Sequence, residues 1–436
     1  MLPRSLAHVA AALLLTLPRV ALAQNNATDL VVHPSGIQVL GIAVPAFRAQ
    51  SGSDNIAASE LSGVIERNLT ISGWFTPVET QGGPAVDESA AWRRRGASYV
   101  VDGRYMLQAG QVVLEVSVGD TTVGQQVLGR TYRGPSQTLR DLAHQIADDI
   151  VQNVTGERGI AKSRILFITQ RGDSRELAAM DLDGGRARAL TRDGATVMAA
   201  CWGANNTEVY FTSTRDYNPD LCGMFLDGSS TWFISRLPGL NLSPHWSSET
   251  ERIALTLSRD GNSEIYTMTR EGDRLLRLTY QRAIDSSPWW TPDGRQILFT
   301  SDRQGARPQI WAMDADGRRQ RPLTTRTGRT YNDGVSVSPD GRRVSFTSKV
   351  DGQFDIFIMD ITGEDSSWVR LTDSPADDED PSWTWDGQHI IFSSTRSGGR
   401  QIHIMNADGS NVHQLTQRGT NLSPMAEPPP PTRRNR

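Results

Sequence analysis

A recurring Leu-Thr pair constrains the fold of this 436-residue chain more than any other sequence feature. Successive pairs are separated by 88, 45, 48 and 44 residues, and they begin at Leu190, Leu278, Leu323, Leu371 and Leu415. Because 88 is twice 44, one copy is degenerate, and Arg236-Leu237 stands where its closing pair is expected. The spacing therefore indicates six consecutive units.

Each unit contains short β-prone runs separated by turn-forming residues. In residues 285–324 the runs are SPWW, QILFTS, QIWAMD and RQRPLT, and they are separated by TPDG, DRQGARP and DADG. Gly, Pro and Asp supply the backbone angles and hydrogen bonds of tight turns. Four strands in about 40 to 45 residues make one propeller blade, whereas helical repeats of that length would show a period of 3.6 residues. The pattern predicts an all-β six-bladed propeller.

The two ends of the repeat region predict how the ring closes. In the first unit GIAKSR stands where an opening strand is expected, and an unused opening strand, residues 419–424, follows the last Leu-Thr pair. We expect the C-terminal segment to supply the innermost strand of the first blade, which removes exposed sheet edges. The predicted propeller covers residues 163–427. Residues 428–436, rich in proline, are predicted to form a disordered, extended tail.

The N-terminal residues have the pattern of a secretory signal. Residues 1–23 begin with a positive charge, continue with an apolar stretch too short to cross a bilayer, and end with a small-residue cleavage site at Ala21-Leu22-Ala23. A retained signal-anchor is the alternative. No later stretch approaches the ~20 apolar residues of a membrane span. The expected location is the periplasm, without direct insertion into the membrane.

Residues 24–156 lack the repeat and predict a small mixed α/β domain. The predicted helices are Ile56–Thr70, Glu88–Arg95 and Thr138–Val154, and the predicted strands include Ile37–Phe47, Tyr99–Leu107, Val112–Val118 and Gln126–Tyr132. The connection at residues 155–163 is short, so the two domains should pack together. The predicted fold is therefore a small mixed α/β N-terminal domain followed by the propeller.

Composition and motifs argue against several classes of function. The net charge is −4, the sequence pI is about 6.0, and no basic cluster is available to a nucleic acid. The sequence contains no G-x-S-x-G, H-E-x-x-H, phosphate-binding loop or zinc-spaced Cys/His cluster. Its Asp-Gly turns are typical of hairpins and lack the further ligands of a calcium loop. We expect no enzymatic activity, no cofactor and no bound metal.

The two cysteines permit two interpretations. Cys201 and Cys222 could form a disulfide in an oxidising compartment. In the repeat register they fall on the first and third strands of one blade, which lie ~9.5 Å apart, too far for a bridge. We favour two buried thiols.

The repeats and the N-terminal segments together resemble the TolB family of the Tol-Pal system. The repeats have the form S-P-x-W-(S/T)-P-D-G...F-T-S...I-(W/Y)-x-M-D...L-T, and GIAVPAF (residues 41–47) and SGWFTPV (residues 72–78) are also similar to that family. The resemblance implies a non-enzymatic, monomeric periplasmic scaffold. Such a protein would bind the lipoprotein Pal through the propeller and TolA through its N-terminus, supporting outer-membrane integrity and constriction at cell division.

Two surfaces are candidates for these partners. The first is an exposed recognition segment, residues 24–32, in which the β-prone residues Asp29, Leu30, Val31 and Val32 could add a strand to a partner; a docked or frayed end is the alternative. The second surrounds the mouth of the channel where fourth strands connect to first strands. Its candidate residues in these connections are Leu240, Asn241, Ser243, Asp285, Ser286, Asn332, Asp333, Asp377, Asp378, Glu379 and Asp380, and the neighbouring loops between second and third strands add Arg259, Arg303 and Arg396.

We expect those mouth residues to be surface positions whose charges speed encounter with a polar partner and contribute little to stability. A solvated rim without a partner, or a site among the PDG turns of the opposite face, are the alternatives. Two other classes remain open on the residues alone: a peptidase-associated or glycan-active propeller, and a propeller that binds a sugar or cation in its channel.

Overall fold

The computed structural model describes residues 39–50, 55–305, 307–324, 330–363 and 367–429. The N-terminal domain has a mixed sheet with strand order β3-β1-β4-β5-β6, and β2 also pairs with β4. Its elements are β1 (Leu40–Ala43), β2 (Arg48–Ala49), α1 (Asn55–Ile71), β3 (Phe75–Pro77), α2 (Ser89–Arg94), β4 (Tyr99–Gln108), β5 (Gln111–Asp120), β6 (Gln126–Pro135) and α3 (Leu139–Thr155), with a 3₁₀ turn at Ser136–Thr138.

The core of this domain lies between the sheet and the two long helices. Apolar residues on one stripe of α3, among them Ile146 and Ile150, pack with Leu61 and Ile65 of α1 and with alternate residues of β5. Helix α3 ends at Thr155 and is capped by Gly156, which adopts a left-handed φ of 80° and donates its N–H to the carbonyl of Gln152. The predicted strand over residues 37–47 is shorter in the structure, where β1 ends before Pro45, a residue with no N–H to donate.

Six four-stranded antiparallel sheets follow, each with its strands in sequence order except the first. The first blade has β7 (Arg164–Arg171), β8 (Ser174–Asp181) and β9 (Arg188–Ala189), and the second has β10 (Val197–Trp202), β11 (Glu208–Ser213), β12 (Asp220–Phe225) and β13 (Thr231–Ser235), with a 3₁₀ turn at Ala204–Asn206. The third has β14 (Asn241–Ser247), β15 (Arg252–Leu257), β16 (Glu264–Met268) and β17 (Leu276–Arg277).

The fourth blade has β18 (Asp285–Trp290), β19 (Gln296–Ser301), β20 (Gln309–Asp314) and β21 (Arg321–Pro322). The fifth has β22 (Tyr331–Val337), β23 (Arg343–Val350), β24 (Gln353–Asp360) and β25 (Val369–Arg370). The sixth has β26 (Asp378–Trp383), β27 (His389–Ser394), β28 (Gln401–Asn406) and β29 (His413–Gln414), and the last strand is β30 (Thr420–Ala426).

The last strand closes the ring. Strand β30 pairs antiparallel with β7, so the first sheet has the order β30-β7-β8-β9. The strands β10, β14, β18, β22, β26 and β30 each contact the next one around the circle, and β30 contacts β10. These six innermost strands therefore surround the channel, and the structure is a six-bladed propeller preceded by the α/β domain, as predicted.

The Leu-Thr repeat has a structural explanation. The leucine packs between blades, and the threonine Oγ1 accepts a hydrogen bond from a third-strand N–H; the pairs are Thr191 with Leu177, Thr279 with Ile265, Thr324 with Ile310, Thr372 with Ile356, and Thr416 with Ile402. The same hydroxyl donates to a polar side chain near the start of that strand, namely Glu176, Glu264, Gln309, Asp355 or Gln401. The short fourth strand is thus fastened to the third.

Cys201 and Cys222 are free and buried, on the first and third strands of the second blade as predicted. Burial raises the pKa of the Cys201 thiol to about 12 and that of Cys222 to about 11. Both side chains therefore behave as small apolar core residues.

Candidate partner-binding surfaces

The end of the channel at which the innermost strands begin is called here the upper mouth. In every blade the innermost strand shifts register against its neighbour near this end. Five of the bulged residues have a positive φ: Ser243, Ser287, Gly334, Asp380 and Ser423. A β-bulge bends its strand and re-aims side chains, so the upper mouth is a repeated irregular edge on a rigid ring.

Four residues predicted to meet a partner at this mouth are buried, and their expected exposure is wrong. Asn241, Asp285, Asn332 and Asp378 stand at the start of their strands, and each is 0% exposed. They belong to the network that fastens one blade to the next. Asn332 Nδ2, for example, donates at 2.8 Å to Gln309 Oε1, the same group that Thr324 contacts.

Two of the three predicted arginines serve this buried network. Arg303 Nη2 lies 2.6 Å from Asp285 Oδ2, and Arg396 Nη2 lies 2.8 Å from Asp378 Oδ2. Burial raises the pKa of Asp285, while hydrogen bonding by Ser301 and the charge of Arg303 oppose that rise. Arg259 is the exception, because it is exposed and its Nε lies 3.5 Å from the exposed Asp260.

The networks that contain Asp285 and Asp378 each receive a carboxylate from the preceding blade's third strand, and that carboxylate has an arginine of its own. Glu264 of the third blade adjoins Asp285 of the fourth, and Arg277 Nη2 lies 2.9 Å from Glu264 Oε1. In the fifth blade Arg370 Nη2 likewise lies 2.7 Å from Asp355 Oδ2. Where the third strand supplies a glutamine, as in the fourth and sixth blades, an asparagine near the start of the next inner strand donates its Nδ2 to that glutamine.

The other predicted residues remain partly accessible. Leu240, Ser243, Ser286, Asp333, Asp377, Glu379 and Asp380 are half-buried. Asp333 Oδ1 accepts hydrogen bonds at 2.7 Å from Thr300 Oγ1 and from the Gly334 N–H. Glu379 pairs with Arg400, and burial raises the pKa of both Glu379 and Asp380. The acidic part of the upper mouth is therefore centred on the fifth and sixth blades.

The structure also reveals exposed apolar side chains near this mouth that the sequence analysis missed. Tyr217, in the loop from β11 to β12, is fully exposed and has a positive φ of 67°. Tyr280 and Ile284, in the connection to β18, are 69% and 54% exposed, and Met198 of β10 is 42% exposed. Exposed aromatic and aliphatic side chains beside polar ones are typical of protein interfaces. The exposure of Tyr217 could have been inferred from the loop sequence TRDYNPD, because an aromatic residue there lies among turn-forming residues.

The N-terminal domain packs at the opposite end, called here the lower mouth, against the first and sixth blades. Arg67 Nε donates at 2.6 Å to the carbonyl of Asp183, and Asn411 Nδ2 donates at 3.1 Å to the carbonyl of Thr70. Ile71 and Ile160 join a hydrophobic cluster with residues of the blades. The upper mouth is therefore on the side of the ring away from the N-terminal domain.

A charged network reinforces this domain interface. Arg140 bridges Asp181 at 2.9 Å and Asp183 at 2.5 Å, while Arg186 Nε lies 2.8 Å from Asp181 Oδ2. His144 Nε2 lies 3.1 Å from the same Asp181 oxygen. Burial alone would raise the pKa of Asp181, but hydrogen bonds from His144, Arg186 and Arg140 hold it well below the usual range.

Within the described ranges, His144, Asp181 and Asp183 form a group close enough to share a metal ion. Two guanidinium groups already engage these carboxylates, so an added cation would meet two positive charges. The arrangement fits an ion-pair network between domains.

Several predicted features lie outside the described residues. They are the signal peptide, the recognition segment with Asp29, Leu30, Val31 and Val32, and the tail from residue 430 onward. No helix within the described ranges has the length and apolar character needed to cross a membrane.

The fold and its surfaces define a class: a six-bladed propeller that presents one open mouth and packs a small α/β domain at the other. Residues 28–127 match the family model of the TolB amino-terminal domain, and residues 151–337 and 329–429 match that of the TolB beta propeller domain. The chain belongs to the TolB family, whose members are periplasmic, non-enzymatic proteins of the Tol-Pal system.

Solved structures agree on the fold. TolB from Acinetobacter baumannii is similar to this chain with 24% identity and a TM-score of 0.78, covering 90% of this chain and 97% of that one. Hydrazine synthase from Kuenenia stuttgartiensis has 16% identity and a TM-score of 0.54, covering 61% of this chain and 46% of that one. Because the second protein is an enzyme by name, the propeller alone does not decide function.

Proposed function

We propose that this chain is a periplasmic scaffold of the Tol-Pal system that binds Pal at the upper mouth of the propeller and TolA through residues 24–32. In this role it supports outer-membrane integrity and constriction at cell division. The observation that carries the proposal is the match of both domains to the TolB family, together with the packing of the described part of the N-terminal domain at the lower mouth, on the other side of the ring.

The composition of the upper mouth supports a protein partner. Tyr217, Ile284 and Met198 offer exposed apolar area, and the half-buried Asp333, Glu379 and Asp380 add carboxylates on the other side of the ring. Interfaces combine aromatic anchors with a polar rim in this way. Because the bulges and blade-joining contacts fix the underlying strands, binding here would not require the ring to reorganise.

The Pal site is tested by replacing its most exposed aromatic side chain. Tyr217→Ala should weaken Pal binding about tenfold, the effect of losing one aromatic anchor of more than 1 kcal/mol. Isothermal calorimetry with purified Pal measures it. The matched control is Val123→Ala, an exposed apolar residue of the N-terminal domain that is 63% accessible. The control variant should bind Pal as the wild type does. Unchanged affinity for the Tyr217 variant would place the site elsewhere.

The TolA site is tested by removing residues 24–32 from the mature chain. TolA binding should be lost because the segment supplies a strand to that partner. Pal affinity should be retained because the upper mouth is untouched. A periplasmic pull-down with both partners as baits makes the comparison in one experiment, and retained TolA binding would contradict this part of the proposal.

A propeller that binds a small ligand in its channel is the second candidate function, and the cavity described below is the observation that favours it. A peptidase-associated or glycan-active role has no comparable support, since the sequence shows no hydrolase motif.

A further inference from the structure

The lower mouth contains a chamber walled by tryptophan. A cavity of about 230 Å³ is lined by Trp202, Trp246, Trp289, Trp290, Trp383 and Trp385, which come from the ends of innermost strands or the turns that follow them. Pro292 and Pro339 of those turns also contribute to the wall. Nothing in the upper-mouth function uses this chamber.

Guanidinium groups lie over three of these rings. Arg164 lies 5.0 Å from the centroid of Trp202, and Arg343 lies 4.7 Å from that of Trp383. Arg158 lies 4.8 Å from the centroid of Trp385. These arginines stabilise the positions of the rings by cation-π contact, so the aromatic wall is preformed. Aromatic-lined grooves with fixed rings are the sites that bind polyproline helices.

The chain itself brings prolines to this wall. Pro428 and Pro429 line the cavity, and Asn206 Nδ2 donates at 2.9 Å to the carbonyl of Pro428. Just before them, Trp202 Nε1 donates at 3.1 Å to the carbonyl of Met425, and Glu427 pairs with Arg164 at 2.5 Å. The path of the chain into the chamber is therefore fixed up to Pro429.

We propose that the chamber is a polyproline-binding site and that its occupant is the chain's own C-terminal segment, Pro430–Arg436. The segment has seven residues, PPTRRNR, and a polyproline helix rises ~3.1 Å per residue, so a segment of this length in that conformation spans ~22 Å. Pro430 and Pro431 continue the run that Pro428 and Pro429 begin on the tryptophan wall.

Tethering makes a weak contact sufficient. A short flexible link gives an effective concentration on the order of millimolar, so a contact with an intrinsic Kd of about 100 µM is occupied about nine-tenths of the time. We assign the recognition to the prolines, because aromatic-lined grooves bind polyproline helices.

The test uses ¹⁵N-tryptophan spectra of the mature protein, in which each indole N–H gives one signal. Replacing Pro430 and Pro431 by Gly should shift the signals of chamber indoles such as Trp385, because the two prolines then no longer pack on the tryptophan wall. It should leave those of Trp232 and Trp368, in the outer parts of the second and fifth blades, unchanged.

Two tail variants complete the test without altering any described contact. Replacing Arg433, Arg434 and Arg436 by Ala should leave the chamber signals at their wild-type positions. Deleting residues 430–436 should shift the chamber indoles and no others. Chamber signals that stay at their wild-type positions after this deletion, or shifts confined to indoles outside the chamber, would overturn the proposal.

Discussion

The two mouths of the channel are formed by the same six strands, yet they differ in what they present. At the upper mouth the innermost strands begin with buried asparagines and aspartates, and exposed groups stand on the loops around them. At the lower mouth four of the six strands end at or next to a tryptophan, these rings line a cavity, and the N-terminal domain packs nearby. The polar contacts that join neighbouring blades are thus concentrated at the upper mouth. At the lower mouth, aromatic rings line a chamber.

This contrast separates two roles that charge alone does not distinguish. Asp285 and Asp378 hold blades together, while Asp333 and Glu379, close to them in the ring, are partly open to a partner. Changes at the first pair should act on stability and changes at the second on binding.

Deleting residues 419–436 should have the largest effect, because it removes β30 and with it a strand that spans from the upper to the lower mouth. The deletion exposes the inner edge of β7 and removes the contacts of β30 with β26 and β10. We expect loss of the cooperative unfolding transition measured by circular dichroism. Deletion of residues 430–436 alone should leave that transition in place, since Glu427 still pairs with Arg164. Equal melting temperatures for the two truncations would contradict closure by β30.

Charge reversal at the buried carboxylates should have the next largest effect. Asp285→Lys or Asp378→Lys leaves Arg303 or Arg396 without its partner and buries a second positive charge, which costs about 3–5 kcal/mol of unfolding free energy. Urea denaturation followed by fluorescence measures this. Asp373→Lys is the matched control, because Asp373 is exposed in the connection to the sixth blade and its reversal should change stability by less than about 0.5 kcal/mol.

The opposite result, a change in Pal binding without a change in stability, would contradict the structural role of these two aspartates. If the Asp285 and Asp378 variants unfold at the wild-type urea concentration but bind Pal more slowly, these residues act as rim charges and the sequence-based interpretation of them is restored.

The sequence predicted the architecture because its signals are local and repeated. The Leu-Thr spacing, the Asp-Gly turns and the surplus strand at residues 419–424 each report on neighbours within one blade, and the six-bladed closed ring follows from counting them. The helices of the N-terminal domain were equally predictable from the sequence, because residues such as Ile146 and Ile150 form one apolar stripe of α3.

The candidate site was predicted less well because it depends on contacts between blades. A charged residue in a connection is usually exposed, and nothing near Asp285 in the sequence reveals that Arg303 and Thr279 converge on it from other strands. The enclosure of the chamber tryptophans likewise depends on several blades, because the cavity lining runs from Cys201 to Pro429. Periodicity identifies the strand that a side chain belongs to, but not what the next blade places against it.

The domain interface at the lower mouth should show the smallest effect, and its sign can be derived. The pKa of Asp181 is held below its usual range, so its ionised form favours the folded state above the unfolded pKa of ~3.9 and this contribution is lost as the pH falls through the folded pKa. Asp181→Asn should therefore destabilise the protein by about 2 kcal/mol at pH 7, the loss of charge-assisted hydrogen bonds. The difference from wild type should shrink as the pH falls below about 4.

Measuring wild type and variant side by side at each pH isolates this carboxyl. Asp148, whose pKa burial raises to about 6, contributes with the opposite sign, since its stabilising protonated form is lost as the pH rises from about 4 to 6. It is present in both proteins and cancels in the difference. The control is Asp141→Asn: Asp141 pairs with Arg186 at 2.5 Å but is 52% exposed, so its loss should cost no more than about 1 kcal/mol. A destabilisation by Asp181→Asn that is the same at pH 3 and pH 7 would mean that packing, and not ion pairing, holds the N-terminal domain at the lower mouth.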